Sequence, residues 1–237
     1  PAKHNALDQA LVDEFSAALA ELRHDPAVLV VHSTTPGMFV SGADIAELID
    51  RDAEIGLRGV LATLLDALEA HRWPTVAAID GAAFGGGCEL ALACDMRIAS
   101  ERSRFAQPEL GLGILAGAGG NWRLAQTVGL PIARRMLYAG EILDAGEALR
   151  AGLVDQVHRP DDVLDAAIAY AQRIAAQSWR ALELTKVALR LHRPATTLYD
   201  MTAQALLFEG EDKTARMTQF LAERERRRAA RATEGAQ

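Results

Sequence analysis

Helix and strand patterns alternate along the first two thirds of the chain, and this alternation limits the fold more than any other sequence feature. An amphipathic helix is predicted over 7–22, where apolar residues recur at helical spacing. Short apolar runs at 28–31, 75–79 and 96–99 predict buried strands. The alternation continues to about residue 158, so we predict an α/β fold with a largely parallel sheet.

The remainder of the chain has a purely helical pattern. Helices are predicted over 55–71 between the strands, and then over 161–177, 179–192, 197–208 and 211–231. The chain has 237 residues, which is the length of one large domain or of one domain with an extension. We therefore predict a core domain over 1–192 and a C-terminal helical region over 193–237.

Charge and cysteine content narrow the class of protein. The chain has 25 Lys and Arg against 32 Asp and Glu, a net charge of −7, and an acidic balance disfavours binding to phosphate backbones. The spacing of Cys88 and Cys94 fits neither a CxxC pair nor a tetrahedral metal site, and the six histidines form no ligand cluster. No leader pattern and no apolar run of about 18 residues occurs. We expect a cytoplasmic protein without a metal, nucleic-acid or membrane partner.

A glycine-rich turn, Gly85-Gly86-Gly87, follows the second predicted strand and opens into a short apolar helix. Glycine permits close approach of a ligand, and a helix N-terminus presents free N–H groups that can bind an anion or oxyanion. The alternative is a tight strand-to-helix turn with no further role. The chain contains neither GxGxxG after its first strand nor GxxxxGK[ST], which excludes the usual dinucleotide and P-loop sites.

Two glutamates are candidates for proton transfer. Glu89 lies in the first turn of the short helix among apolar neighbours, where partial burial would raise its pKa. A favourable interaction with the helix dipole would also explain its position. Glu109 lies in a stretch that Pro108 keeps irregular. At one site, two carboxyls acquire different pKa values, so that one acts as an acid and the other as a base. Their spacing alone does not show that they meet.

Several blocks then occur in a characteristic order. They are KHNAL at 3–7, FVSGADI at 39–45, GAAFGGGCEL at 81–90, FAQPE at 105–109, GAGG at 117–120, FEGEDK at 208–213 and FL at 220–221. Along almost its whole length, the chain resembles the enoyl-CoA hydratase/isomerase (crotonase) superfamily. The resemblance implies a crotonase-like spiral of ββα turns, with a helical C-terminal trimerisation region and assembly as a homotrimer or hexamer. Family members usually begin with a strand before the first block, so the first turn of the spiral is expected to be incomplete.

The resemblance also implies roles for individual residues. The backbone N–H groups of Ala43 and Gly86 match the oxyanion hole, which binds the thioester oxygen of an acyl-CoA substrate. Glu89 and Glu109 match the two glutamates that hold a water molecule in hydratases. Substrate contacts are expected at Ala43, Asp44, Ile45, Gly86, Gly117 and Trp122.

The function that the resemblance implies is that of an enoyl-CoA hydratase in fatty-acid metabolism, which adds water to a 2-enoyl-CoA and gives a 3-hydroxyacyl-CoA. No cofactor is expected, since CoA is part of the substrate. A 3,2-enoyl-CoA isomerase is the alternative, but the presence of both Glu89 and Glu109 favours hydration. A non-catalytic or RNA-binding member of the fold is a third possibility. Ala46, Ala116 and Trp122 depart from common family residues, so the acyl group is left open, and the CoA phosphates are assigned to Lys3 or to the Arg-rich last helix.

Overall fold

The computed structural model describes residues 5–190 and 197–234. The helices are α1 (Gln9–Leu22), α2 (Ile45–Ile49), α3 (Ala53–Arg58), α4 (Val60–Glu69), α5 (Gly86–Ala93), α6 (Gly120–Ala139), α7 (Ala145–Arg150), α8 (Val163–Ala175), α9 (Trp179–Arg190), α10 (Thr197–Phe208) and α11 (Glu211–Glu234). The strands are β1 (Leu29–His32), β2 (Met38–Val40), β3 (Thr75–Ile79), β4 (Ala82–Phe84), β5 (Met96–Ser100), β6 (Arg104–Ala106), β7 (Leu143–Asp144) and β8 (Gln156–His158). Short 3-10 helices cover Glu109–Leu112 and Pro160–Asp162.

The strands form two four-stranded sheets. One has the order β1-β3-β5-β8 and is parallel throughout, whereas the other has the order β2-β4-β6-β7 and ends in an antiparallel pair. Successive strands from β1 to β6 alternate between the sheets, and one or more helices follow each pair of strands. This is the predicted spiral of ββα turns. The single, largely parallel sheet that periodicity suggested is therefore two sheets.

The long helix predicted over 55–71 is wrong, because a glycine divides it into α3 and α4. Gly59 has a φ of +52°, in the left-handed region that residues with a Cβ rarely adopt. Gly59 is both the C-cap of α3 and the N-cap of α4. The break lets α3 turn toward α10, where a Cβ built on Gly56 would lie 2.7 Å from the Phe208 ring.

The C-terminal helices pack on the segments that follow β2. Helix α10 contacts α3, and α11 contacts α2. The buried Lys213 ammonium donates to the carbonyl oxygens of Ile49 and Arg51, each at 3.0 Å. It thereby caps the last turn of α2 with a positive charge, which a helix C-terminus favours. The predicted domain boundary at 192–193 lies outside the described residues, as does Lys3.

The main core lies between the sheets and helices α4, α5 and α6. Its fully buried members include Leu65, Leu68, Phe105, Leu124 and Met136. Within the ranges 5–190 and 197–234, no helix combines the length and the apolar character that a bilayer crossing requires.

Candidate active site

The three glycines that precede Cys88 place the start of α5 directly against β2. Gly85 caps the helix with a φ of +52°, and a Cβ built on Gly87 would lie 2.2 Å from the backbone oxygen of Val40. No side chain fits at that distance, so close approach of two backbones explains this glycine. The turn is therefore tight, and it also brings the N-terminus of α5 to the loop after β2.

Ala43 and Gly86 present their backbone nitrogens across this junction. A Cβ built on Gly86 would lie 3.5 Å from Ala43 N, and one built on Gly42 would lie 3.8 Å from Gly86 N. Gly86 is the first residue of α5, where an N–H has no intrahelical acceptor. The Leu7 N–H donates to Gly42 O at 2.8 Å, and this hydrogen bond holds the loop after β2 to the segment before α1.

Glu89 lies one turn further along α5 and is buried. Its Oε1 accepts hydrogen bonds from the N–H groups of Ala118 and Gly120, each at 2.8 Å. A Cβ built on Gly120 would lie 3.0 Å from Glu89 Cγ, so the second glycine-rich block packs directly on this side chain. These two donors hold the Glu89 carboxyl in one orientation.

Glu109 is the first residue of the 3-10 helix over Glu109–Leu112. Its Oε1 lies 3.1 Å from a Cβ built on Gly85, and its side chain is buried. With its amide nitrogen turned toward Glu109, Gln107 donates to Oε1 at 2.8 Å and to Oε2 at 3.1 Å. Burial and, second, the negative charge of Glu89 raise the pKa of Glu109 to about 8. The two glutamates, twenty positions apart in sequence, therefore interact at one site.

A cavity of about 690 Å³ connects these groups. It is lined by both glutamates and by Ala43 and Gly86, together with Ile45 and Gly117, which the sequence analysis also selected. The structure thus brings six of the eight predicted site residues to one cavity. Arg227, on the Arg-rich last helix that the sequence analysis selected, also lines the cavity. The rest of the wall could not be predicted from local patterns, since its residues come from distant elements: Leu48, Arg51, Ile55, Met201, Gln204, Phe208 and Phe220.

Asp44 and Trp122 are placed differently from the other six. Asp44 is the N-cap of α2, where its side chain accepts a hydrogen bond from the Ala46 N–H at 3.0 Å. Trp122 is buried in α6, with the Arg123 guanidinium 4.5 Å from its ring centre. Neither side chain lines the cavity, because capping and packing direct them elsewhere. Substrate contact at these two positions stays a prediction.

The described residues place no set of metal ligands at this cavity. Across the described parts of the chain, no group of three or more His, Cys, Asp or Glu side chains could hold a metal ion. The cavity lining includes two carboxyls, two backbone N–H groups and two guanidinium groups.

Comparison with known proteins identifies the family that this chain resembles. The family model described as enoyl-CoA hydratase/isomerase matches residues 1–228. The short-chain-enoyl-CoA hydratase of Clostridium acetobutylicum is 36% identical over 232 residues, which cover 94% of this chain and 89% of the relative. The 2,3-dehydroadipyl-CoA hydratase of Escherichia coli is 36% identical over 229 residues, covering 94% of this chain and 90% of the relative.

Solved structures show the same likeness. An enoyl-CoA hydratase from Bacillus anthracis superposes with a TM-score of 0.77 at 30% identity, covering 93% of this chain and 89% of its own. The human mitochondrial delta3-delta2-enoyl-CoA isomerase superposes with a TM-score of 0.85 at 26% identity, covering 94% and 90%.

Proposed function

The chain belongs to the enoyl-CoA hydratase/isomerase family, and we propose that Glu89 and Glu109 form its catalytic pair. The protein is an enoyl-CoA hydratase, which adds water across the 2,3 double bond of a 2-enoyl-CoA and gives a 3-hydroxyacyl-CoA. One observation supports the catalytic pair above all others: both carboxyls are buried and line one cavity beside two backbone N–H groups. The substrate is an acyl-CoA thioester, so CoA takes part in the reaction as a portion of the substrate.

Ala43 and Gly86 supply the oxyanion hole in this proposal. Their N–H groups donate to the thioester oxygen and stabilise the negative charge that develops there when C3 is attacked. Because the donors are backbone groups fixed by a glycine turn, they need no reorganisation during the reaction. A single donor of this kind contributes about a hundred- to a thousand-fold in rate.

The two carboxyls divide the proton transfers. Glu109, with its pKa near 8, is protonated at neutral pH and gives its proton to C2. Glu89 accepts a proton from the water as the water oxygen bonds to C3, and transfer of that proton from Glu89 to Glu109 restores the starting state. Acid and base catalysis of this kind contribute about a hundred- to ten-thousand-fold each.

Isomerisation is the second candidate function, because the chain also superposes with an isomerase. Moving a 3,4 double bond to the 2,3 position requires one group that removes a proton from C2 and returns it to C4. Glu109 alone would suffice for this shuttle. Glu89 would then be dispensable, which separates the two functions experimentally.

The test follows the absorbance of the conjugated thioester as crotonyl-CoA or a longer 2-enoyl-CoA is hydrated. We expect the wild type to consume at least one of these substrates, and Glu89→Gln and Glu109→Gln each to lose at least about a hundred-fold in kcat. Glu101→Gln is the matched control, because Glu101 is exposed. If the wild type hydrates no 2-enoyl-CoA, and Glu89→Gln keeps its activity on a 3-enoyl-CoA while Glu109→Gln loses it, the protein is an isomerase. A wild type inert on every enoyl-CoA rejects both functions.

We also propose a cytoplasmic homotrimer or hexamer in which the C-terminal helical region over 193–237 joins the subunits. An exposed apolar side chain on α10 supports this proposal, with Leu206 72% exposed. The molar mass in solution, measured by light scattering, tests it, since a monomer would contradict it.

A further inference from the structure

Arg123 is a buried arginine that the proposed proton transfers do not use. It is the fourth residue of α6 and is only 3% exposed. Its guanidinium donates to Asp66 Oδ1 and to Glu69 Oε2, each at 2.7 Å, so two carboxylates of α4 compensate its charge. A cation near a helix N-terminus opposes the helix dipole, and burial of a charge is costly even when it is paired. Stability of the fold alone therefore explains this arginine poorly.

A further donor of the guanidinium is directed at the glycine-rich loop over 117–120. Arg123 Nη1 donates to the carbonyl oxygen of Ala118 at 2.7 Å. A Cβ built on Gly119 would lie 2.2 Å from the same nitrogen, so the loop packs directly on the guanidinium. The backbone N–H of Arg123 also donates to the Gly119 carbonyl oxygen, at 2.9 Å. Arg123 therefore holds two consecutive carbonyl groups of this loop.

The N–H groups of the same loop hold Glu89. The Ala118 and Gly120 N–H groups donate to Glu89 Oε1, each at 2.8 Å. The Ala118 carbonyl oxygen, which lies between these two N–H groups in the chain, accepts from Arg123. Gly119 has a φ of +98°, and glycine has more backbone freedom than any other residue. A fixed Ala118 carbonyl group therefore limits the rotation of the N–H groups on either side of it.

We propose that Arg123 is a positioning residue for Glu89. By holding the Ala118 carbonyl oxygen, it keeps the N–H groups of the loop directed at the Glu89 carboxyl. This role rests on the proposed function, in which Glu89 accepts a proton from water, and it adds the residue that fixes this base. Arg123 acts only through the loop. Displacement of a catalytic group by about 1 Å costs up to about a hundred-fold in rate, so loss of this support should be measurable in turnover.

The first experiment measures kcat and KM for crotonyl-CoA in Arg123→Met and Arg123→Lys. Positioning of the base affects the chemical step more than substrate binding, so Arg123→Met should lose about ten- to a hundred-fold in kcat. Its KM should change by less than about three-fold. Arg123→Lys keeps the charge but loses the guanidinium fork, so it should fold and give a kcat between those of Arg123→Met and the wild type. A kcat equal to that of the wild type in either variant would overturn the proposal.

Lys186→Met is the matched control for the loss of a buried ion pair. Lys186 is 6% exposed, binds Asp95 Oδ2 at 2.6 Å and donates to the Trp73 carbonyl oxygen at 3.0 Å. It lines a different cavity from that of Glu89. We expect Arg123→Met and Lys186→Met both to lower the urea midpoint of unfolding, whereas only Arg123→Met lowers kcat. Equal losses of kcat in the two variants would assign Arg123 to the fold alone and reject the positioning role.

A combined variant tests whether Arg123 acts through Glu89. In a Glu89→Gln background, Arg123→Met should lower kcat by less than about three-fold, because the base that it positions is already absent. The same loss in both backgrounds would mean that Arg123 acts on another part of the enzyme, which rejects the proposal.

Hydrogen exchange measured by mass spectrometry keeps the test independent of turnover. The amide hydrogens of the loop over 117–120 should exchange faster in Arg123→Met than in the wild type or in Lys186→Met. If the wild type hydrates no enoyl-CoA yet shows this pattern, the proposed reaction fails while support of the loop by Arg123 stands. Unchanged exchange in this loop rejects the positioning role.

Discussion

Glu89 and Glu109 are both buried, but their carboxyls have different neighbours. Glu89 receives two backbone N–H groups, whereas Glu109 lies beside the Gln107 amide and in the negative field of Glu89. Like charges at one site oppose double ionisation, so the pair holds one proton over a wide range of pH. This difference between two identical side chains is the basis for the different roles that we propose for them.

The raised pKa of Glu109 predicts the pH dependence of the rate. Its acid form gives the proton to C2, and this form is lost as pH rises through about 8. We therefore expect kcat/KM for crotonyl-CoA to be level near neutral pH and to fall about ten-fold per pH unit above this value. Initial rates between pH 6 and pH 10 measure it, and Glu101→Gln should show the same profile. A rate that increases through pH 8 would mean that ionised Glu109 is the active form.

At the residue scale, the sequence alone showed that Glu89 and Glu109 were unusual but did not show that they meet. The family resemblance implied that they hold a water molecule but left acid and base unassigned, and the structure places both in one cavity and raises the pKa of Glu109. Arg51 had no sequence signal, because nothing nearby distinguishes it from a solvated arginine. Its place in the cavity wall follows from the packing of distant elements.

At the scale of elements, the spiral depends on close contacts between backbones. Helix α5 can start beside β2 only because Gly87 has no Cβ, and the oxyanion hole that we propose lies at this same contact. The three-residue strands β2, β4 and β6 and the two-residue strand β7 form the second sheet. They are too short to show a period of two, which is why the sequence predicted one sheet instead of two.

This contact between α5 and β2 predicts the effect of a single methyl group. Gly87→Ala places a Cβ against the Val40 carbonyl oxygen, and the backbone must shift to make room. We expect a loss of about 1–3 kcal/mol in the free energy of unfolding and a drop in kcat of at least ten-fold from the displaced N–H groups. Urea titration and crotonyl-CoA turnover measure the two effects.

Gly111→Ala is the matched control for that substitution, since a Cβ at Gly111 meets no atom within 4 Å. Its stability should stay within about 0.5 kcal/mol of the wild type. A Gly87→Ala protein as stable and active as this control would show that the close approach is not required.

At the scale of the whole molecule, the cavity joins parts of the chain that lie far apart in sequence. Its reacting end comes from the segments after β2, β4 and β6, which carry local glycine and glutamate patterns. Its opposite wall comes from α2, α3, α10 and α11. Long-range packing of helices creates that wall, so periodicity could predict the helices α10 and α11 but not the surface they share with α3.

The central claim is that Glu89 and Glu109 act as one unit on one water molecule. A double-mutant cycle on crotonyl-CoA hydration tests it most directly, with kcat measured for the wild type, Glu89→Gln, Glu109→Gln and the double variant. Groups that act together are strongly non-additive, so the double variant should lose about as much activity as either single variant. Losses that multiply, so that the double variant falls by the product of the two, would show that the glutamates act independently and would contradict the account.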